Sequence, residues 1–140
     1  IPHGTANALL LNETIKFNSE NAPIKQAAFA QYKYPNAAFR YARIADYLGL
    51  GGKTEGEKVQ LLMDKIDELK DAVGMPKNIK AAGVAEVDFY ATIDEMVEQA
   101  FDDQCTGANP RYPLFSEIKE MYINAYEYRE VKKEEKKKDK

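Results

Sequence analysis

The stretch "TEGEKVQLLMDKIDELKDAVGMP", residues 54–76, carries both ends of a helix and the face it buries. Thr54 followed three residues later by Glu57 forms a capping box, in which each side chain accepts from the other residue's backbone N–H. Val59, Leu62, Met63, Ile66, Leu69 and Val73 recur at spacings of three and four, the apolar stripe of an amphipathic helix. Gly74 and Pro76 stop it, the first by taking a left-handed backbone and the second by refusing to continue the helix. One such stripe needs a partner surface, and the rest of the chain repeats the pattern.

"NAAFRYARIADYLGL" (36–50) predicts a helix capped by Asn36 and ended by Gly49 or Gly51. "AEVDFYATIDEMVEQAFDD" (85–103) predicts another, divided near Thr92, and Ser116 opens a last one, "SEIKEMYINAYEYREV" (116–131). "KNIKAAGV" (77–84) reads as a turn of helix, and residues 20–35 as a connector with a short helix at Pro23 to Gln31. "TANALLLNETIKFNS" (5–19) predicts a helix from Thr5 that frays at Asn18 and Ser19. Its apolar residues cover more than one stripe, which suits a helix inside a larger protein. In a fragment it is therefore expected to rearrange, dimerise or swap. No segment alternates as a strand does, and there is neither a repeat nor a glycine-rich phosphate loop. The expectation is an all-α lobe of about five to seven helices over residues 1–128, with 129–140 as a charged tail.

The totals agree with one domain: 140 residues, 44% hydrophobic, 31% charged and a net charge of −3. A chain of this length buries roughly two-thirds of its unfolded surface. The longest apolar candidate, "ANALLLNETI", is broken by Asn7, Asn12 and Glu13, short of the roughly 18 residues that suggest a membrane span. A single cysteine excludes an internal disulfide and suits a reducing cytoplasm. The tail "REVKKEEKKKDK" carries +3, but its interspersed acids favour a solvated extension over a nucleic-acid contact.

Two places carry candidate chemistry. His3 stands between Pro2 and Gly4 just before a helix, and it is the chain's one histidine. A catalytic metal commonly takes three protein ligands and an open position, so a metal held by His3 requires partner ligands upstream. The second place is "FDDQCTGANPRYPLFSEI" (101–118), stiffened by Pro110 and Pro113. Cys105 there is a nucleophile, a packed thiol or a pocket wall. The nucleophile reading lacks an adjacent base, and neighbouring Asp102 and Asp103 oppose thiolate formation. Asp102, Asp103, Thr106, Asn109 and Arg111 can pin the loop through backbone and through Arg111. Such a loop either lines a site or simply locks two helices.

"IPHGTANALLLNETIKFN", "YARIADYLGL", "GMPKNIKAAGV" and "AFDDQCTGANPRYPL" together resemble the C-terminal end of the iron-dependent alcohol dehydrogenases. They are most similar to the alcohol dehydrogenase half of the bifunctional aldehyde–alcohol dehydrogenases. The resemblance implies an α/β lobe upstream that binds NAD, and a metal, Fe2+ or Zn2+, held by one aspartate and three histidines. His3 is implied to be the last of those histidines and Cys105 to line the substrate pocket, with Asn109 and Arg111 anchoring its loop. No residue of this chain is implied to be catalytic. The substrate implied is a small alcohol or aldehyde, acetaldehyde reduced to ethanol in fermentation. The chain alone, lacking the aspartate, two histidines and the NAD lobe, is expected to be inactive and without cofactor. The other function it could serve is helical self-association in a homo-oligomer or filament.

Overall fold

A computed structural model describes residues 1–20 and 37–128. The expected short helix at 23–31, the Asn36 cap and the tail 129–140 lie outside the described residues. Those residues form five α-helices and a short 3-10 turn, Thr106–Ala108, without a strand. The helices are α1 (His3–Ser19), α2 (Ala37–Tyr47), α3 (Glu55–Ala72), α4 (Glu86–Asp102) and α5 (Phe115–Tyr126). None of them is long and apolar enough to cross a membrane.

α1 is the central element, packing against α2, α3 and α5, while α2 pairs with α3 and α4 with α5. That arrangement corrects the expectation for α1. Leu9, Ile15 and Phe17 are buried within this chain, so the helix needs no swap or dimer to cover them. Its apolar residues spread beyond one stripe because three helices of the same lobe pack on it; Leu11 alone of its large apolar residues stays exposed. It also begins two residues early, at His3, because Pro2 enters with φ −56° and ψ 143° and its carbonyl accepts from Ala6 N–H at 3.0 Å.

Leu9 joins Ile79, Phe89, Ile93, Val97, Ile118, Ala125 and Tyr126 in the main core. Phe89, Ile93 and Val97 are spaced by four and give α4 one continuous buried line, which explains why it is not divided at Thr92. The Thr92 hydroxyl donates to Asp88 O at 2.9 Å and so stays within the helical pattern. The rings of Phe89 and Tyr126 stack at 4.3 Å between centroids.

The ends of the helices follow their caps where those are local. Thr54 Oγ1 accepts from Glu57 N–H at 3.2 Å, and the Glu57 carboxylate accepts from Thr54 N–H at 3.2 Å, completing the box. Gly49 (φ +66°) ends α2, and Leu50 N–H turns back to Ala45 O at 3.0 Å. Gly52 has φ +86°, and a Cβ there would lie 3.1 Å from Lys58 Cγ and from Leu61 Cδ1.

Other ends are tertiary. Residues 77–83 make one turn of helix, Ala82 N–H donating to Asn78 O at 3.1 Å, which goes no further because the donors ahead of it serve α5. Ile79 N–H and Lys80 N–H donate to Ala125 O and Tyr126 O, both at 3.2 Å, and Asn78 Nδ2 donates to Tyr128 O at 3.1 Å. These bonds satisfy carbonyls that a helix end leaves orphaned. α5 therefore closes at Tyr126, short of residue 131. It starts at Phe115, one residue before Ser116, because the Glu117 carboxylate accepts from Leu114 N–H at 2.8 Å.

The stripe of α3 is only half right. Val59 and Leu62 are buried, but Leu69 is 61% and Val73 67% exposed, while Lys70 is 6% exposed. A polar cluster turns that half of the helix. Asn12 Nδ2 lies 2.8 Å from Asp67 Oδ1, 3.1 Å from Met63 O and 3.1 Å from Tyr128 Oη. The Tyr128 hydroxyl donates to Asp67 Oδ2 at 2.9 Å, and Lys70 Nζ stands 3.7 Å from Asp67 Oδ1. Asn12 Oδ1 is buried without a partner among the described residues. The cluster ties α1, α3 and the end of the described chain together.

Burial, opposed by the hydrogen bond from Asn12 and reinforced by Asp67, pushes the Tyr128 hydroxyl up from 10.0 to about 12. The folded state holds this proton more tightly than the unfolded chain, so the contribution is complete below pH 10 and lost as pH rises through 12. Discounted for partial exposure, the loss is about 1–2 kcal/mol. Urea unfolding at pH 9 and above should show that extra alkaline slope in the native chain and a shallower one in Tyr128→Phe. Equal slopes would remove Tyr128 as its source.

Candidate functional site

A groove of about 470 Å³ runs beside α1. Asn7, Leu10, Thr14 and Phe17 line it from α1, at spacings of three and four that place them on one stripe. Cys105, Thr106 and Asn109 of the loop face them, and Ile118, Met121 and Tyr122 of α5 form the floor. Cys105 is thus a wall of the groove, exposed and with its backbone N–H held by Asp103 Oδ1 at 2.7 Å. No histidine is among the lining residues.

His3 stands one helical turn from this stripe. It is exposed, and its Nε2 lies 3.1 Å from Asn7 Nδ2, which itself lines the groove. The structure therefore brings the two predicted residues to one surface, linked through Asn7. Among the described residues no three His, Cys, Asp or Glu side chains are grouped to hold a metal ion. The described residues offer a metal one exposed imidazole nitrogen and do not complete a coordination set.

The loop is locked, as its sequence suggests, but through partners the sequence reading did not identify. Arg111 does not bind Asp102 or Asp103. Its Nη1 donates to Phe17 O at 2.9 Å and meets Glu20 Oε2 at 3.1 Å, while Nη2 meets Glu117 Oε1 at 2.6 Å. The guanidinium also lies 3.9 Å from the centroid of the Phe17 ring, within cation–π range. Asn109 and Asn18 exchange amide bonds: Asn109 Nδ2 to Asn18 Oδ1 at 2.7 Å, and Asn18 Nδ2 to Asn109 Oδ1 at 3.2 Å. Asn109 Nδ2 also donates to Arg111 O, and Thr106 Oγ1 to Ala100 O. The loop is thereby fixed to the end of α1, and Phe17 is held from behind as the groove's far wall. Asn18 and Glu20 carried no distinguishing signal beyond being polar at a helix end.

Comparison with known proteins places the chain. The profile described as "Fe-containing alcohol dehydrogenase family, C-terminal" matches residues 1–126. An aldehyde-alcohol dehydrogenase of Clostridium acetobutylicum is 64% identical over 126 residues, 90% of this chain and 15% of that protein. The bifunctional aldehyde-alcohol dehydrogenase of Escherichia coli is 52% identical over 128 residues, 90% of this chain and 14% of that protein. An NADPH-dependent butanol dehydrogenase of Clostridium saccharobutylicum is 35% identical over 131 residues, 94% of this chain and 30% of that protein. The chain spans about one-seventh of the length of the aldehyde-alcohol dehydrogenases it matches. A helical lobe whose profile match runs through the Pro-His-Gly entry to α1, the groove and the locked Cys105 loop belongs to the Fe-containing alcohol dehydrogenase family.

Proposed function

We propose that the protein containing this chain is an NAD-dependent, iron-dependent alcohol dehydrogenase that interconverts acetaldehyde and ethanol within a bifunctional aldehyde–alcohol dehydrogenase. One observation carries the reading: His3 heads the same α1 face that, through Asn7, lines the groove walled by Cys105. His3 donates one imidazole nitrogen to a divalent metal whose other ligands, an aspartate and two histidines by family resemblance, lie elsewhere in the protein. The metal, iron or zinc, supplies Lewis-acid polarisation of the substrate oxygen. Asn7 faces the mouth beside His3, Leu10 and Met121 exclude water from the carbon chain, and Cys105 acts as wall and not as nucleophile. The described residues supply one ligand of that set, so turnover rests on residues elsewhere in the protein.

The test is acetaldehyde reduction by the full-length protein with NADH, before and after chelation and after restoring ferrous or zinc ion. Activity lost on chelation and regained with metal supports the reading, and metal-independent activity overturns it.

A second reading has its own observation. Leu69 on α3 and Val73 just past its end are exposed while Lys70 is buried, leaving two apolar side chains uncovered among the described residues. Self-association through that face, in a homo-oligomer or filament, predicts that Leu69→Glu shifts sedimentation toward smaller species.

A further inference from the structure

We infer that a second copy of this protein docks its α4 on the outer face of α2, joining copies head to tail. The inference rests on the self-association reading above and assigns it two surfaces which that reading does not use. α2 is built the wrong way round for a helix that serves only its own lobe. What it buries is small, Ala37, Ala42 and Ala45, and what it turns outward is large. Ile44 is 45%, Tyr47 91% and Leu48 51% exposed. Arg40, Arg43, Ile44 and Tyr47, all exposed, recur at spacings of three, four and seven, which is one face of the helix. The acid of α2, Asp46, meets Lys58 at 2.8 Å, so the outer face keeps the charges of its two guanidinium groups.

α4 offers the complement. It carries Glu86, Asp88, Asp94, Glu95, Glu98 and Asp102 without a lysine or arginine. Beside its buried line of Phe89, Ile93 and Val97 runs an exposed one. Val87 and Tyr90, 75% and 49% exposed, are followed there by Asp94 and Glu98 at helical spacing. Asp94 also bridges Lys119, an exposed pair that solvent screens. Apolar and aromatic side chains on both faces, with cations on one and carboxylates on the other, are the composition of an apolar contact with a charged rim. Within the lobe α2 packs on α1 and α3, and α4 on α5 and the 3-10 turn; α2 and α4 do not meet. Their pairing therefore takes two copies. Because the two faces differ, each added copy brings a new free α2 face or α4 face, and the assembly extends or closes into a ring.

Sedimentation velocity of the full-length protein tests the pairing by charge exchange. Arg40→Glu/Arg43→Glu should weaken association about tenfold or more and shift the distribution to smaller species, as should Asp94→Arg/Glu98→Arg. The variant with all four exchanges, in which an acidic α2 meets a basic α4, should regain about half or more of the wild-type assembly. Two surfaces damaged independently do not restore one another, so a fourfold variant as dispersed as the doubles overturns the pairing. An unchanged distribution in Arg40→Glu/Arg43→Glu overturns it as well. A lowered urea midpoint then gives the α2 face to another part of the same chain, and lost binding to phosphatidylglycerol vesicles gives it to a membrane. Leu69→Glu separates the two readings: smaller species there, with both double variants unaffected, leave self-association standing and remove α2 and α4 from it. Wild-type protein that sediments as a monomer at every concentration removes both.

Discussion

His3→Ala should empty the metal site of the full-length protein while leaving this lobe's stability within about 0.5 kcal/mol. The two halves of that result follow from one observation. The imidazole is exposed and its contact is Asn7, so truncation opens no cavity and orphans no buried group. Its donor nitrogen, by contrast, is the ligand proposed for the metal among the described residues. Outer-shell partners of a bound metal alone are worth about 10–100-fold in affinity, and losing a ligand should exceed that range. Metal content after gel filtration, by plasma mass spectrometry, reads the first half, and urea unfolding of the metal-free protein reads the second. Retained stoichiometric metal would remove His3 from the ligand set. Lost metal together with a collapsed fold would make it structural.

The second large effect is at Arg111. Arg111→Met should lower the unfolding free energy by about 2–3 kcal/mol. Breaking a buried ion pair costs about 3–5 kcal/mol, and the lower figure applies because Glu20 is already 55% exposed and rehydrates. What is lost is a junction: Phe17 O, Glu20 and Glu117 all converge on one guanidinium that is 12% exposed. Arg111→Lys should recover less than half, because an ammonium cannot reproduce the planar fork or lie flat on the Phe17 ring. Urea midpoints give the energies. The labelling rate of Cys105 gives the consequence for the site and should rise in both variants as the loop loosens. A midpoint unchanged in Arg111→Met would mean that Asn18 and Asn109 hold the loop without help.

The two sites differ in how far they could be read beforehand. His3 and Cys105 stood out as candidates because their motifs are continuous in sequence, Pro-His-Gly before a helix and Cys-Thr-Gly before a proline-stiffened run. That they share a surface was not legible. It depends on Asn7 sitting one turn beyond His3 on the α1 face that turns toward the loop. Asn109 and Arg111 were identified as anchors, and the local bond from Asn109 Nδ2 to Arg111 O matches that reading, whereas the expected bond from Asp102 or Asp103 to Arg111 is replaced by others. Their distant partners, Asn18, Phe17 and Glu20, lie 91–94 residues earlier, beyond any local pattern. Asn12 read as an interruption of an apolar run and is instead a buried hub for Met63, Asp67 and Tyr128.

The sequence by itself determined that this is a helical lobe, and it determined the ends governed by nearest neighbours. The Thr54–Glu57 box, Gly49 and Gly74 act within one turn, so the local chain carries all the information. Tertiary structure decided which face each helix buries and where the remaining helices stop. Leu69 and Val73 lost the inward side of α3 to Lys70 because Asn12 and Tyr128, distant in sequence, satisfy Asp67 there. α5 ends at Tyr126 because the 78–80 turn caps its carbonyls, and α1 buries residues on several sides because three helices meet on it. Helix formation is decided over 3.6 residues, whereas a buried polar group takes whatever partner the packed chain brings within 3 Å.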